Sequence, residues 1–166
     1  MSEAAISRDE ELWILGEAPG YCVAIFRNVL IMLIAGEIDR SFLRLSLLGH
    51  HKVVEYDPEG YGLVTIVASG SRLPNSELRT EASELRKKTQ HLLRAQGIVI
   101  GGEGFFASTM RAVLTGIFAM AQSRVPTKMV GEIQEACQFV SEKIGLDAET
   151  AKALEDALIT LKEGRA

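Results

Sequence analysis

Apolar residues along this chain follow two spacings in turn, one typical of buried strands and one typical of helices. Five short runs rich in β-forming residues occur at 21–26, 29–35, 63–68, 98–100 and 127–130. The run 29–35 (VLIMLIA) is apolar throughout, which is typical of a strand covered on both faces. Only Arg27 and Asn28 separate it from the run before it, so the two strands are predicted to form a β-hairpin. Residues 13–15 could add a short strand or turn before Pro19.

Helix-spaced apolar residues fill the intervals between these strands. Asp39 is a predicted N-cap for a helix that ends at Gly49, because its side chain can accept a hydrogen bond from an unpaired backbone N–H. Asn75 or Ser76 is predicted to cap a second helix, which ends at Gly97. Three further helices are predicted over 107–122, from Glu132 to Gly145, and after a cap at Asp147.

The predicted order of elements is therefore β-β-α-β-α-β-α-β-α-α. Strands that alternate with helices imply right-handed crossovers and a mainly parallel sheet, here of four to five strands and opened by the hairpin. We expect an α/β fold with an N-terminal leader over 1–20, one domain over 21–145, and an additional C-terminal helix of the same domain over 146–166. The length of 166 residues suits a single domain.

Composition and charge exclude several classes of protein. Hydrophobic residues make up 47% of the chain and charged residues 24%, which is ordinary for a globular domain. The net charge of −4 leaves no basic excess to neutralise phosphates, so nucleic-acid binding is not expected. The densest basic run is Arg86-Lys87-Lys88, which is interleaved with glutamates and is predicted to lie on a solvated helix face.

The cysteines and the N-terminal residues indicate the cellular location of the protein. Cys22 and Cys137 form no CxxC motif and are interpreted as small buried residues of a reduced protein. Residues 1–11 lack the basic start and apolar run of a secretory signal. The apolar run 29–35 is far shorter than the roughly 20 residues that cross a bilayer. We therefore expect a cytoplasmic protein without a transmembrane segment.

The element order and one stretch of sequence resemble a known family. Residues 97–111 (GIVIGGEGFFASTMR), followed by Val113-Leu114-Thr115-Gly116, are similar to the STAS or SpoIIAA-like (anti-sigma-factor-antagonist-like) domains, in the bacterial branch related to lipid-binding Sec14-type domains. The resemblance covers about residues 21–144. It implies a non-enzymatic role: regulation through protein–protein contacts, sensing of a nucleotide or anion, or binding of a lipid-like ligand.

The resemblance also points to a serine-rich loop. In the antagonists of this family a phosphorylated serine lies at the start of the helix after the third strand, and the corresponding segment here is 69–76 (SGSRLPNS). Ser69 and Ser76 are therefore candidate phosphoacceptors, and Ser69, Ser71 and Ser76 are candidate ligand-binding residues. The segment departs from the family motif, since Ala68 stands where the motif has Asp.

A second loop matches a phosphate-binding pattern. Residues 102–107 fit GxGxx(G/A) between a predicted strand and a helix, where backbone N–H groups could hold a phosphate. The loop lies in the third crossover and contains Glu103, which would repel an anion, so a glycine-rich turn is favoured and nicotinamide chemistry is not expected. Its candidate ligand-binding residues are Gly102, Gly104, Ser108 and Arg111, the last two sharing a helix face at i, i+3.

No arrangement of residues predicts a metal site or a catalytic group. His50 and His51 precede Glu55 and Asp57, but adjacent histidines point in different directions, which is a poor geometry for chelation. No Ser/His/Asp arrangement is recognisable. We therefore assign no catalytic residue, no metal and no cofactor.

Three hypotheses about function follow. The first is a non-catalytic regulatory or ligand-binding module that acts through a protein partner, through self-association, or by binding a small anionic or lipid-like ligand. The alternative is a small enzyme that holds a phosphorylated or acidic substrate at 102–111, with Glu103 or His51 as general acid or base. A third is an assembly subunit that associates through the Ala/Leu stripe of the last helix.

Overall fold

One six-stranded mixed sheet forms the centre of the molecule. The structure, a computed structural model, describes residues 11–165. The strands are β1 (Leu12–Ala18), β2 (Tyr21–Phe26), β3 (Val29–Ile34), β4 (Tyr61–Val67), β5 (Leu93–Ile100) and β6 (Thr127–Val130). They lie side by side in chain order, with β1, β2 and β3 antiparallel and β3 to β6 parallel. The predicted α/β class, with an antiparallel opening followed by parallel strands, is confirmed.

Helices cover both faces of this sheet. They are α1 (Arg40–Tyr56), α2 (Ser76–Thr89), α3 (Phe105–Met120), α4 (Ile133–Ile144) and α5 (Ala148–Glu163), with a 3-10 turn over Gln90–Leu92. The helices α1, α2 and α3 each connect neighbouring parallel strands. Because right-handed crossovers that advance in one direction lie on the same side, these three helices share one face of the sheet. The last two helices, α4 and α5, cover the opposite face.

The central strands are apolar throughout because both of their faces are covered. On β2, Ala24 belongs to the hydrophobic cluster that contains Leu154 of α5, whereas the next residue, Ile25, belongs to the cluster that contains Phe42 of α1. Every residue of β2 and five of the six residues of β3 are buried. The sequence-based interpretation of 29–35 as a strand covered on both faces is therefore correct, and the strand ends at Ile34.

The sheet has one or two strands more than the four to five that the sequence predicts. The sequence predicts that residues 12–18 belong to an N-terminal leader over 1–20, but they form β1, which pairs with β2 from Leu12↔Phe26 to Ala18↔Tyr21. This edge strand is half exposed, and its register shifts between Ile14 and Gly16, which interrupts the apolar alternation that would have identified it. The first ten residues of the predicted leader lie outside the described residues.

Two glycines that the sequence predicts to be helix ends lie instead at close packing contacts. The helix predicted to stop at Gly49 continues to Tyr56, and a Cβ on Gly49 would lie 2.7 Å from Cδ1 of Leu30 in the sheet. The helix predicted to reach Gly97 ends at Thr89, and the strand predicted as 98–100 already begins at Leu93. Glycine at these positions lets a helix approach the sheet closely, which the local sequence cannot distinguish from a helix stop.

The capping predictions agree with the structure. Asp39 accepts a hydrogen bond from the backbone N of Phe42 at 3.0 Å, and Asn75 accepts one from Leu78 at 2.9 Å. At the last helix, the side chain of Asp147 accepts a hydrogen bond from Thr150 at 2.7 Å.

In the part of the chain that the structure describes, none of the helices is both long enough and apolar enough to cross a membrane.

Candidate functional site

A cavity of about 120 Å³ lies between the sheet and the helices α1, α2 and α3. Most of its wall is apolar, with contributions from Met32, Leu63 and Ile98 of the sheet and from Leu78, Met110 and Leu114 of the helices. Engineered cavities of roughly 150 Å³ with such walls bind molecules of the size of benzene. The present cavity is somewhat smaller, so it has room for part of an apolar molecule.

The two ends of the cavity differ in burial and in chemistry. At the carboxyl ends of the parallel strands, the wall contains the exposed side chain of Arg72 and the partly exposed Pro74. At the opposite end, the wall contains Gln96, His50 and Arg86, all of which are buried. The cavity is therefore more open at the carboxyl edge of the sheet, where open α/β sheets bind ligands. Its other end, the deep end, contains the buried side chains of Gln96, His50 and Arg86.

The guanidinium of Arg86 is the charged group at this deep end. Arg86 is only 8% exposed, and its Nη2 donates a hydrogen bond of 2.8 Å to Oε1 of Gln96. Its Cζ lies 5.1 Å from the ring centroid of Phe118, a cation–π distance. Within residues 11–165, Nη1 has no hydrogen-bond partner, and no ion pair includes Arg86. Burial lowers its pKa to about 10, so it remains protonated at neutral pH.

Gln96 is held in one orientation by hydrogen bonds from the other side. Its Nε2 donates to Oγ1 of Thr127 at 2.8 Å, and that hydroxyl donates to the carbonyl oxygen of Val125 at 2.8 Å. An amide that donates to Thr127 must present its oxygen to Arg86, because the two ends of the amide differ in chemistry. The strand β5 and the start of β6 thus orient the acceptor that holds the guanidinium.

A second buried pair lies beside Arg86. Nδ1 of His50 makes a hydrogen bond with the hydroxyl of Tyr61, which donates to the backbone oxygen of Thr89 at 3.1 Å. Burial and, next, the Arg86 charge lower the pKa of His50 to about 3, so the imidazole is neutral at pH 7. Burial raises the pKa of Tyr61, which keeps the phenol protonated. Arg86 therefore supplies the only full charge among these three buried side chains.

The two loops predicted as ligand sites lie next to each other at the carboxyl edge. Gly101 donates a backbone hydrogen bond of 2.9 Å to Val67, and a Cβ on Gly102 would lie 2.9 Å from Oγ of Ser69. Ser69 is exposed, and so is Ser76, which is the first residue of α2. Ser71 is buried, and its hydroxyl lies 2.7 Å from the oxygen of Ala68 and 3.2 Å from that of Ile34. The hydroxyl of Ser71 therefore holds the loop closed.

The start of α3 forms a separate open groove. Its wall contains the predicted ligand residues Gly102, Gly104, Ser108 and Arg111, together with Glu103 and Phe105. The side chains of Ser108, Arg111 and Glu103 are all exposed, and both glycines have positive φ, +80° and +76°. The structure thus brings these residues together, with a carboxylate beside the predicted anion-binding groups.

The two residues considered for general acid–base chemistry lie apart. Glu103 is in the groove at the start of α3, at the carboxyl edge of the sheet. His51 lies near the end of α1, in another groove with Val54 and Lys88. Since α1 runs antiparallel to the strand before it, its C-terminal end lies at the amino ends of the parallel strands, whereas Glu103 lies at their carboxyl ends. Glu103 is thus the one of these two candidates that lines the groove with residues 102–111.

The structure also locates the other titratable residues. Cys22 and Cys137 are free and buried, as the sequence suggested, and burial raises the pKa of both thiols, that of Cys137 to about 12. Within residues 11–165, no group of three or more His, Cys, Asp or Glu side chains is placed to hold a metal ion.

Sequence reasoning missed the deep end of the cavity. The prediction that Arg86 lies on a solvated helix face is wrong, because its side chain is buried against the sheet, whereas its neighbours Lys87 and Lys88 are exposed. One signal was present: Arg86 follows Leu78 and Ala82 at steps of four residues, which places it on the apolar face of α2. Gln96 carried no such signal within the apolar strand β5.

No protein-family model matches the chain, and searches of curated proteins and of solved structures found no significant match.

Proposed function

We propose that this chain is a non-catalytic ligand-binding module that takes an apolar or amphipathic small molecule into the cavity between the sheet and α1 to α3. The observation that carries this proposal is the apolar cavity of about 120 Å³ with a few polar groups at one buried end. Binding sites for small molecules commonly combine an apolar wall with a small number of polar groups that orient the ligand.

We also propose that the domain belongs to the STAS or SpoIIAA-like family. An antiparallel opening and three parallel crossovers on one face are consistent with that assignment, and the helix after Gly145 lies outside the resemblance. In this proposal the module has a regulatory role, in which the bound ligand changes how the protein associates with a partner.

The cavity proposal can be tested with a neutral fluorescent probe, N-phenyl-naphthylamine, whose emission rises in apolar surroundings. Ala82 of α2 lines the cavity, so Ala82→Trp fills it. Ala112 of α3 is exposed and does not line the cavity, so Ala112→Trp is the matched control. We expect the wild type and Ala112→Trp to bind the probe and Ala82→Trp to bind it at least about tenfold more weakly.

The same experiment has a clear contrary result. Probe binding by Ala82→Trp with the wild-type affinity would place the probe elsewhere and would contradict the proposal. Circular dichroism melts of both variants show whether the domain remains folded. The smaller substitution Ala82→Leu provides a second test if the tryptophan variant unfolds, because it still reduces the cavity volume.

A second candidate function is association with a protein partner or with another copy of the chain. Two large apolar side chains are exposed at the carboxyl edge: Leu73, in the loop before α2, is 44% exposed, and Phe105, the first residue of α3, is 87% exposed. Exposed apolar side chains favour an interaction surface where they lie close enough to form one patch. Self-association can be tested by light scattering after size exclusion, in which the wild type and Phe105→Ser are compared over a range of concentrations. A concentration-dependent dimer that Phe105→Ser abolishes supports self-association. A wild type that is monomeric at every concentration contradicts it.

A further inference from the structure

The deep end of the cavity holds a positive charge without a counter-ion among the described residues. Arg86 is only 8% exposed, its one hydrogen-bond partner in residues 11–165 is the neutral amide of Gln96, and its Nη1 is unpartnered. A buried charge is strongly destabilising unless it is paired and fully hydrogen-bonded. An anionic group on a bound ligand would supply the missing partner of this charge.

We propose that the ligand is a monocarboxylate with an apolar body, and that its carboxylate pairs with the guanidinium of Arg86 at the deep end of the cavity. This inference rests on the proposed function, because it names the chemical class that the same cavity binds.

The geometry of the guanidinium favours a carboxylate. Gln96 occupies Nη2 with a hydrogen bond of 2.8 Å, and the ring of Phe118 lies 5.1 Å from Cζ, so two contacts restrict the plane of the group. Both Arg86 and Gln96 line the cavity, and Nη1 is a buried donor without a partner among residues 11–165. A planar guanidinium held in this way matches the planar oxygens of a carboxylate.

The charge at the deep end favours a single negative charge on the ligand. His50 is buried and lies beside Arg86, but it is neutral at pH 7 and adds no second positive charge. The other arginine of the wall, Arg72, is exposed, lies at the carboxyl edge and forms an ion pair with Glu37 at 3.3 Å. A phosphate monoester carries about −1.5 to −2 at pH 7 and would leave excess negative charge in an apolar site.

The wall above Arg86 favours an apolar body of moderate length. From Leu63 to Val67 on β4, both of which line the cavity, the strand rises by about 13 Å at roughly 3.3 Å per residue. The intervening wall is formed mainly by apolar side chains of β3, α2 and α3. A medium-length alkyl chain with its carboxylate at Arg86 would extend along this wall towards the more open carboxyl edge.

The test compares octanoate with 1-octanol, which share a chain length and differ in charge. Each is titrated against the bound neutral probe, with the wild-type chain, with Arg86→Met, and with Lys87→Met as a matched control. Lys87 is the next residue of the same helix and is exposed, so its substitution removes one positive charge outside the cavity. We expect the wild type and Lys87→Met to bind octanoate at least about tenfold more tightly than octanol, and Arg86→Met to lose this preference.

The possible outcomes separate this inference from the proposed function. If octanol displaces the probe as well as octanoate does, or if Arg86→Met keeps the preference, the carboxylate inference is overturned and the apolar-ligand proposal stands. If the probe, octanoate and octanol all fail to bind, both proposals are overturned.

A second measurement covers the case in which Arg86→Met does not fold. The carboxyl-carbon NMR shift of labelled octanoate bound to the wild type is followed as the pH falls. An ion pair with Arg86 predicts that the bound carboxylate stays ionised at a pH at which free octanoate is protonated. Titration together with the free acid contradicts the inference.

Discussion

Gln96 of β5 holds the buried guanidinium of Arg86 in α2 through a hydrogen bond of 2.8 Å from Nη2 to Oε1. The amide cannot turn freely, because its Nε2 is bonded to Thr127. This contact joins α2 to the sheet and determines where the buried charge of Arg86 lies. Its strength can be measured directly.

Removing the acceptor should destabilise the domain. In Gln96→Leu, Arg86 loses its hydrogen-bond partner while its charge stays buried, so we expect the free energy of unfolding to fall by about 1.5–3 kcal/mol in urea titrations at pH 7. The double variant Arg86→Met/Gln96→Leu removes both groups and should recover most of this loss. A double variant that is less stable than either single one would contradict a penalty due to the unpaired charge.

The hydroxyl of Tyr61 should contribute to stability, whereas that of Tyr56 should not. Tyr61 is buried and its hydroxyl contacts both His50 and the backbone oxygen of Thr89, so Tyr61→Phe leaves these two groups without that partner. We expect a loss of about 1–3 kcal/mol in the free energy of unfolding. Tyr56 is 60% exposed, and Tyr56→Phe, the matched control, should change stability by less than about 0.5 kcal/mol. Equal effects of the two substitutions would exclude a buried hydrogen-bonding role for Tyr61.

His50 should make the domain less stable in mild acid. Burial lowers its pKa from 6.5 to about 3, so between these values the unfolded chain binds a proton that the folded chain does not. Stability therefore falls as the pH falls below 6.5 and is unaffected by this residue at higher pH. Between pH 7 and pH 5 the contribution of His50 amounts to about 2 kcal/mol.

The measurement is a set of urea titrations at several pH values for the wild type, His50→Gln and His91→Gln. His91 is exposed and provides the control for loss of a histidine as such. The difference in unfolding free energy between the wild type and His50→Gln should change with pH in this range, and this change should exceed the one measured for His91→Gln. A pH-independent difference for His50→Gln would show that His50 titrates normally in the folded chain.

Two glycine-to-alanine substitutions should have opposite effects. At Gly97 of β5 a Cβ would lie 2.9 Å from Cβ and 3.1 Å from Cα of Ala136, so α4 must move away from the sheet and we expect a loss of about 1–3 kcal/mol. At Gly116, in the middle of α3, no atom lies within 4 Å of the added methyl group. Gly116→Ala should therefore raise stability by about 0.5–1 kcal/mol through its higher helix propensity. Thermal melts distinguish these signs, and a stabilised Gly97→Ala would contradict the close contact with α4.

Local spacing in the sequence was sufficient for most of the elements. The continuous apolar run of β3, the caps at Asp39, Asn75 and Asp147, and the end of α4 at Gly145 all depend on residues within a few positions of each other. Such features act through local hydrogen bonds and burial patterns, which are readable along one chain. They also sufficed for the α/β class, because alternating strands and helices permit few topologies.

Only the tertiary structure decided which residues form the cavity and its buried charge. Arg86 lies within a basic run, and its burial depends on how α2 packs on strands whose residues are distant in sequence. Gly49 and Gly97 resemble helix ends locally, yet their roles are set by Leu30 and Ala136 across a packing interface. Composition and periodicity show which side chains of a segment face solvent and which face the core. A cavity and an unpaired charge depend instead on how the surfaces of different segments fit together.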